Sequence, residues 1–350
     1  MMVIRVPLLD QEMYNLFNKQ LELIILPTEK CNLNCVYCYE DFNINMMSHK
    51  HVEAIKKLIN TRLYDLNVLT IQWFGGEPLL GYPIITEIMA HIQKLRGKND
   101  TPILNGLITT NAYLLTLNKL SKLVSLGVTD YQITLDGDKE EHDKLRIRRG
   151  DNGGTFDVIW KNILVAHQSN IPFLATLRLH VNNFNKISVE SLLRRASEEL
   201  CNDKRFQFHI RPLSRLGGKN DNVLPITDDL NLISELKQFS TSLGLINQNA
   251  DAYSGISEAM CYAAKPSSYI IRADGHIGKC TIALYNDINA VGKLNEDGTL
   301  ELDNSKITRW SRGLFTGNIP DLECPLVEIK KEQQLLRTTK IKKISLQILK

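Results

Sequence analysis

Three cysteines, Cys31, Cys35 and Cys38, fall within eight residues in the run TEKCNLNCVYCYEDF, spaced CX3CX2C with Tyr37 before the last. Three thiolates on so short a loop can bind three irons of a [4Fe–4S] cube and leave the fourth iron without a protein ligand. An open iron is what a substrate-binding cluster requires, by the same logic as the open position of a catalytic metal. Zinc is the competing reading, but a closed zinc site needs four ligands, with a second CxxC or paired histidines. His49 and His51 are nearby, at the start of a predicted helix and out of register with the cysteines. The chain has seven cysteines in all, the others being Cys201, Cys261, Cys280 and Cys324. An odd number argues against a disulfide framework and for thiolate chemistry.

The elements that position this loop follow from periodicity. Short β-rich runs at 21–28, 68–74, 103–110, 130–136, 173–181 and 206–213 alternate with amphipathic stretches such as His51–Leu63, Ile84–Leu95, Leu117–Leu126, Phe156–His167 and Ser188–Leu200. Strands alternating with helices of that length call for parallel βαβ units. The fold expected is α/β, a partial (β/α)6 TIM-like barrel, with chemistry at the C-terminal ends of its strands. In the fifth run Thr176, Arg178, His180 and Asn182 alternate with apolar residues, as do Gln207, His209 and Arg211 in the sixth. A parallel strand covered on both faces is apolar throughout, so this alternation predicts an open, solvent-filled lumen; a strand with one exposed face is the alternative.

After Leu216–Gly217–Gly218 the rhythm changes. A helix is expected over 226–244, capped by Thr227 or Asp228 and ended by Gly244. These signals divide the chain into an N-terminal segment (1–20), a barrel (21–220) and a smaller extension (221–350). Cys201, at a helix end, reads as a small core residue. The basic residues Lys330, Lys331, Arg337, Lys340, Lys342, Lys343 and Lys350 read as a solvated helix or tail. Over 350 residues, 43% hydrophobic and 23% charged composition is ordinary for a globular protein, and a net charge of +3 does not argue for nucleic acid. Without a run of about 18 apolar residues or a signal-peptide cleavage site, the expectation is a cytoplasmic protein with no membrane partner.

Further segments carry a resemblance. Trp73–Phe74–Gly75–Gly76–Glu77–Pro78 ends the second strand, and Thr109–Thr110–Asn111 the third, with Ala112 where a glycine is usual. Leu135–Asp136–Gly137 ends the fourth strand, preceded by Thr134 and running into His142–Asp143–Lys144–Leu145–Arg146, and Gly153–Gly154–Thr155–Phe156 opens the next helix. With the cysteine motif, these resemble the radical S-adenosylmethionine superfamily. The resemblance implies a [4Fe–4S] cluster and S-adenosylmethionine, the latter held by Gly75, Gly76, Glu77, Pro78, Asn111, Thr134, Asp136, Arg146 and Arg178. In that reading the glycines free backbone carbonyls near the methionine ammonium and Glu77 adds charge. Thr134 contacts the adenosylmethionine, and Arg146 takes its carboxylate.

Cys261 and Cys280 belong to C-X13-G-X4-C, with Gly275 as the glycine. This resembles the opening of the SPASM or twitch extension, which carries auxiliary iron–sulfur clusters. Of the usual continuation CX2CX5CX3C only Cys324 survives, with Asp321, Lys330 and Gln334 at the other places. Either Cys261, Cys280 and Cys324 share one auxiliary cluster or the extension is degenerate. The combined resemblance implies an enzyme acting on peptides, first a maturase that crosslinks side chains of a ribosomally made precursor, with His209, Arg211 and Arg215 as candidate peptide contacts. Its partners would be the precursor, a flavodoxin- or ferredoxin-like electron donor, and a separate leader-binding protein if neither barrel nor extension grips the leader. The alternative is an anaerobic sulfatase maturase. Those carry an aspartate after the GX4C cysteine, where this chain has Thr281. A non-catalytic metal-binding or interaction module is the alternative of another class.

Overall fold

The computed structural model describes residues 17–97, 102–200, 203–247 and 260–335. Cys201 and the basic residues beyond 335 lie outside the described residues. The first half runs β1 (Gln20–Ile25), β2 (Leu33–Cys35), α1 (His49–Arg62), β3 (Val68–Trp73), α2 (Tyr82–Arg96), β4 (Ile103–Thr110) and α3 (Leu117–Ser125). It continues with β5 (Val128–Leu135), α4 (Lys139–Leu145), β6 (Arg146–Arg148), α5 (Phe156–His167), β7 (Leu174–Val181), α6 (Lys186–Glu199), β8 (Phe206–Pro212) and α7 (Leu230–Ser242). Beyond these come β9 (Ser268–Ile271), β10 (His276–Gly278), β11 (Gly292–Leu294), β12 (Leu300–Leu302), α8 (Asn304–Trp310), α9 (Arg312–Thr316) and α10 (Ile319–Glu323).

Strands β1, β3, β4, β5, β7 and β8 are parallel neighbours in that order, the expected partial barrel. Alternate residues on one face pack under the helices. On β7 these are Ala175, Leu177, Leu179 and Val181, all buried, while Thr176, Arg178 and His180 keep partial exposure on the other face. Arg178 and His180 line a central cavity with Gln72 of β3, Thr110 of β4, and Gln132 and Thr134 of β5, so the lumen reading holds.

Two features go beyond periodicity. The sheet does not stop at β1: β9 pairs with it in parallel, Glu22 opposite Ser268, and β10 to β12 continue antiparallel into one ten-stranded sheet. The outer edge of β1, which unpaired would expose a row of backbone donors and acceptors, is thereby covered. Separately, β2 and β6 form a two-stranded antiparallel ladder that sets Cys35 opposite Arg146.

The cap expected at Thr227 or Asp228 is supplied instead by Asp229, whose carboxylate accepts from Asn231 N (2.9 Å) and Leu232 N (3.2 Å). Thr227 Oγ1 accepts from Asp229 N at 3.2 Å, which turns the chain just ahead of the cap. The helix packs against α6 and β8. Between β8 and α7 the chain returns to the cysteine loop: Asn220 Nδ2 donates to Val36 O at 2.8 Å, and a Cβ at Gly218 would lie 2.6 Å from Cys38 O. This strap ties the β8 end of the sheet to the cysteine loop that follows β1.

Candidate functional site

A cavity of about 330 Å³ opens at the C-terminal ends of the strands, and Cys31, Cys35 and Cys38 line it. The loop bearing them leaves β1 and is held by Lys30 Nζ on Phe42 O (2.6 Å) and by close contact with Gly75 and Gly76. A Cβ on Gly76 would sit 2.6 Å from Lys30 O and 2.9 Å from Glu29 O. The glycines therefore let two backbones meet, a reason distinct from the expected freeing of carbonyls. Burial raises all three thiols, Cys38 to about 12. Thiolates here need a polycation among them, as a metal cluster supplies.

The sulfurs do not suit one zinc ion. Among the described residues, only His49, Glu53 and Glu87 bring three ligand atoms within 4.8 Å of one another. Two thiolates on one zinc lie at most about 4.6 Å apart, so the three cysteines are spread too widely. His51 faces away from them, its Nδ1 3.3 Å from both Ser48 Oγ and Ala273 O. Leu33 N donates to Cys31 Sγ at 3.3 Å, and Asn111 Nδ2 lies 3.9 Å from the same sulfur. Three wide-set thiols with N–H groups aimed at sulfur fit an iron–sulfur cluster bound on three sides.

Asp136, expected at the adenosylmethionine, is fully buried behind the cavity wall. His180 Nδ1 lies 3.1 Å from one oxygen and Tyr37 OH donates to the other at 2.5 Å. Arg146 Nη1 donates to Tyr37 OH at 2.6 Å and lies 3.8 Å from the carboxylate. Burial opposes ionisation of Asp136, but His180 and Arg146 outweigh it and hold the carboxyl below its usual range. Arg146, expected to take a ligand carboxylate, thus already has an internal partner, although it still reaches the cavity wall. Asp143, in the same run, accepts from Thr155 N (2.7 Å) and Phe156 N (2.9 Å) and caps α5.

Glu77 differs from its expected role in the same way. It is buried, with Oε1 accepting from Leu79 N (2.9 Å) and Thr110 Oγ1 (2.7 Å) and Oε2 from Asn111 N (2.7 Å). It clips the end of β3 to the end of β4, and Pro78 is buried beside it in a short helical turn. Gly75, Gly76, Asn111, Thr134 and Arg178 do face the cavity. Thr134 Oγ1 accepts both Arg178 Nε (3.2 Å) and Nη2 (2.9 Å), which leaves its own proton free to donate. Of the candidate peptide contacts, Arg211 lines the cavity, His209 does not, and Arg215 turns to Asp221 O (2.7 Å). Burial, with Arg211 and Arg178 adding to it, lowers His209 to about 4, so it offers no charge near neutrality.

On the extension, Cys261, Cys280 and Cys324 act on one another electrostatically, and burial raises Cys261 to about 11. Asp321, at one of the missing cysteine places, pairs with Arg312 (2.7 Å), while Lys330 and Gln334 are exposed. Tyr262 and Thr281, next to Cys261 and Cys280, share a 2.8 Å hydrogen bond and form part of the cavity wall. The extension is fixed to the cysteine loop by Arg272, which grips Glu29 with Nη2 (2.6 Å) and Nε (3.0 Å). Sequence reasoning missed Glu29, Arg272 and Lys279, and it gave Tyr37 and His180 no part in holding Asp136. Lys279 Nζ, lowered to about 7 by burial, donates to Lys265 O (2.5 Å) and Ser268 O (2.6 Å). Tyr37, inside the cysteine motif, and His180, in the polar alternation of β7, did leave a sequence signal.

Residues 25–196 match the Radical SAM superfamily. In sequence the chain is similar to an uncharacterized protein of Methanocaldococcus jannaschii, 33% identical over 151 residues covering 43% of this chain and 50% of that one. It is also similar to the GTP 3′,8-cyclase of Clostridium botulinum, 31% identical over 141 residues, 39% of this chain and 42% of the enzyme. The chain spans half or less of the length of these curated relatives. In fold it is similar to native anSMEcpe with bound AdoMet, with a TM-score of 0.61, 18% identity, and coverage of 82% of this chain and 80% of that chain. It is similar too to Streptococcus suis SuiB bound to precursor peptide SuiA, with a TM-score of 0.61, 16% identity, and coverage of 87% and 71%. At such identities these two likenesses establish the fold alone. Residues 25–196, just under half of the chain, carry the match to the Radical SAM superfamily, and that family implies a [4Fe–4S] cluster and S-adenosylmethionine as cofactors.

Proposed function

We propose that the protein is an enzyme that modifies a peptide, crosslinking side chains of a ribosomally made precursor through a bond from an aromatic residue. When bound, the reduced cluster supplies the electron that cleaves S-adenosylmethionine to methionine and a 5′-deoxyadenosyl radical. Cys31, Cys35 and Cys38 would hold the cluster, and Gly75, Gly76, Asn111, Thr134 and Arg178 the adenosylmethionine. The chain's own work is placement. Asp136 and Tyr37 hold Arg146 against the ladder that carries Cys35. Thr134 and Arg178 present donors suited to a carboxylate, and the strap narrows access of water to the lumen.

The observation that carries this reading is the cavity itself. It runs from one set of three thiols to the wall beside a second set, Cys261, Cys280 and Cys324, and it opens at the strand ends. A polar lumen open on one side admits an extended chain, and the fold is shared with SuiB bound to its precursor. In this reading the second set holds an auxiliary cluster, and a flavodoxin- or ferredoxin-like protein delivers the electron. Sulfatase maturation is less well supported, because Thr281 spends its hydroxyl on Tyr262 and offers no carboxylate.

Anaerobic reconstitution tests the proposal. Roughly four irons per chain from the first cluster are expected, with more from the second. Cys35→Ala abolishes 5′-deoxyadenosine formation. A short peptide encoded beside this chain should lose a hydrogen pair per crosslink. Zinc without iron would overturn the radical reading, and formylglycine on a sulfatase peptide would replace the crosslinking one.

A further inference from the structure

The lumen carries a positive charge that neither the fold nor the cofactors answer. Three guanidiniums line it: Arg146, Arg178 and Arg211. Arg146 has Tyr37 and Asp136. Arg178 donates to the neutral hydroxyl of Thr134, and the Arg211 side chain makes no hydrogen bond or ion pair among the described residues. Arg211 and Arg178 also repel each other. Glu40 lines the same cavity, but the charges acting on it are Glu29, Arg272 and Asp41.

Register separates the two unanswered cations. Thr134, Arg178 and His209 share one row across β5, β7 and β8, whereas Arg211 stands opposite His180, two residues nearer the mouth. Adenosylmethionine brings one carboxylate, and Arg178 with Thr134 is placed for it in the deeper row. That leaves Arg211, partly buried in the outer row, without an anion. A cation withdrawn from water without a counter-charge is unfavourable, and a planar guanidinium is shaped for a carboxylate's two oxygens.

We infer that Arg211 is a specificity subsite for an acidic side chain of the substrate. The peptide carries an aspartate or glutamate at a fixed offset from the residue that enters the lumen, and this carboxylate docks on Arg211 at the mouth. This rests on the peptide reading above and deepens it, since it names a substrate feature which that reading leaves open.

The test uses the full chain, cluster-loaded and saturated with S-adenosylmethionine, immobilised under anaerobic conditions. The probe is a pooled library of short acetylated and amidated peptides with one fixed phenylalanine and all other positions varied. Retained peptides should be enriched about tenfold in Asp or Glu at one offset from the phenylalanine, equivalent to about 1.4 kcal/mol. Arg211→Gln should erase that enrichment, and Arg211→Glu should turn it into a preference for Lys or Arg, which a misfolded chain could not show. A second library with free C-termini and no acidic residues distinguishes a terminal carboxylate from a side chain; preferential retention of that library overturns the side-chain assignment. Peptide retention without acidic preference, or an acidic preference unchanged in Arg211→Gln, overturns the subsite and leaves the peptide reading intact. Retention of GTP and of no peptide overturns both.

Discussion

Replacing Asp136 by asparagine should destabilise the domain far more than the loss of one carboxylate at a surface. Asp136 is fully buried, and the Arg146 side chain is 8% exposed, with nitrogen and oxygen 3.8 Å apart. At an effective dielectric of about 20 such a pair is worth roughly 4 kcal/mol, and breaking a buried pair on one side typically costs about 3–5 kcal/mol. The amide can still bond Tyr37 and His180, so the loss should fall on Arg146, left charged behind the ladder that carries Cys35. Asp136→Asn should therefore lower stability by about 3 kcal/mol or more in urea unfolding of the cluster-free chain. Asp136→Asn combined with Arg146→Met should recover at least half of that, because the orphaned charge is gone. If the single variant falls within about 1 kcal/mol of the parent, or the double variant is additive, the pair is not coupled and the reasoning fails.

Two further outcomes follow from packing and burial. Gly76→Ala forces a methyl to within 2.6 Å of Lys30 O; both partners are backbone, so an overpacking cost of about 1–3 kcal/mol is expected. The same variant should lose iron on reconstitution as the cysteine loop moves, and an unchanged melting temperature with full iron content would contradict this. Burial, aided by Arg146, lowers His142 to about 4. Its contribution is complete above the unfolded value of about 6.5 and is lost as pH falls towards 4, up to about 3 kcal/mol. Asp136, shifted the opposite way in charge, adds its own loss only below about pH 4. His142→Gln should flatten the pH dependence of unfolding between these limits while leaving the steeper acid limb.

What could be read without coordinates was local. Cysteine spacing, six strand periods and the polar alternation of Thr176, Arg178 and His180 declare themselves within a few residues. Asp136 was located correctly but given the wrong neighbours, because Tyr37 lies 99 residues away in sequence and His180 lies 44 away. Glu77 looked like a charge for a ligand because its partners, the Thr110 hydroxyl and the Asn111 amide, belong to the next strand. Period-2 alternation placed His209 and Arg211 on one face of β8 but could not show that only Arg211 reaches the cavity. β2 and β6 are three residues each, too short to leave a periodic trace. The cap of α7 was expected one or two residues early, at Thr227 or Asp228; the helix starts at Leu230, so it is the Asp229 carboxylate that reaches Asn231 N and Leu232 N.

The pairing of β9 with β1 has a consequence for how the protein is made. β1 is an early strand, yet its second neighbour arrives with Ser268, well over half the chain later, opposite Glu22. Until then the strand that leads into the cysteine loop keeps one bare edge, and Glu29 lacks the arginine that grips it. A nascent barrel is therefore both sticky and unable to set the loop in place. Iron loading on this scheme follows completion of the sheet, and a barrel cut near residue 220 should aggregate rather than fold into a smaller working unit.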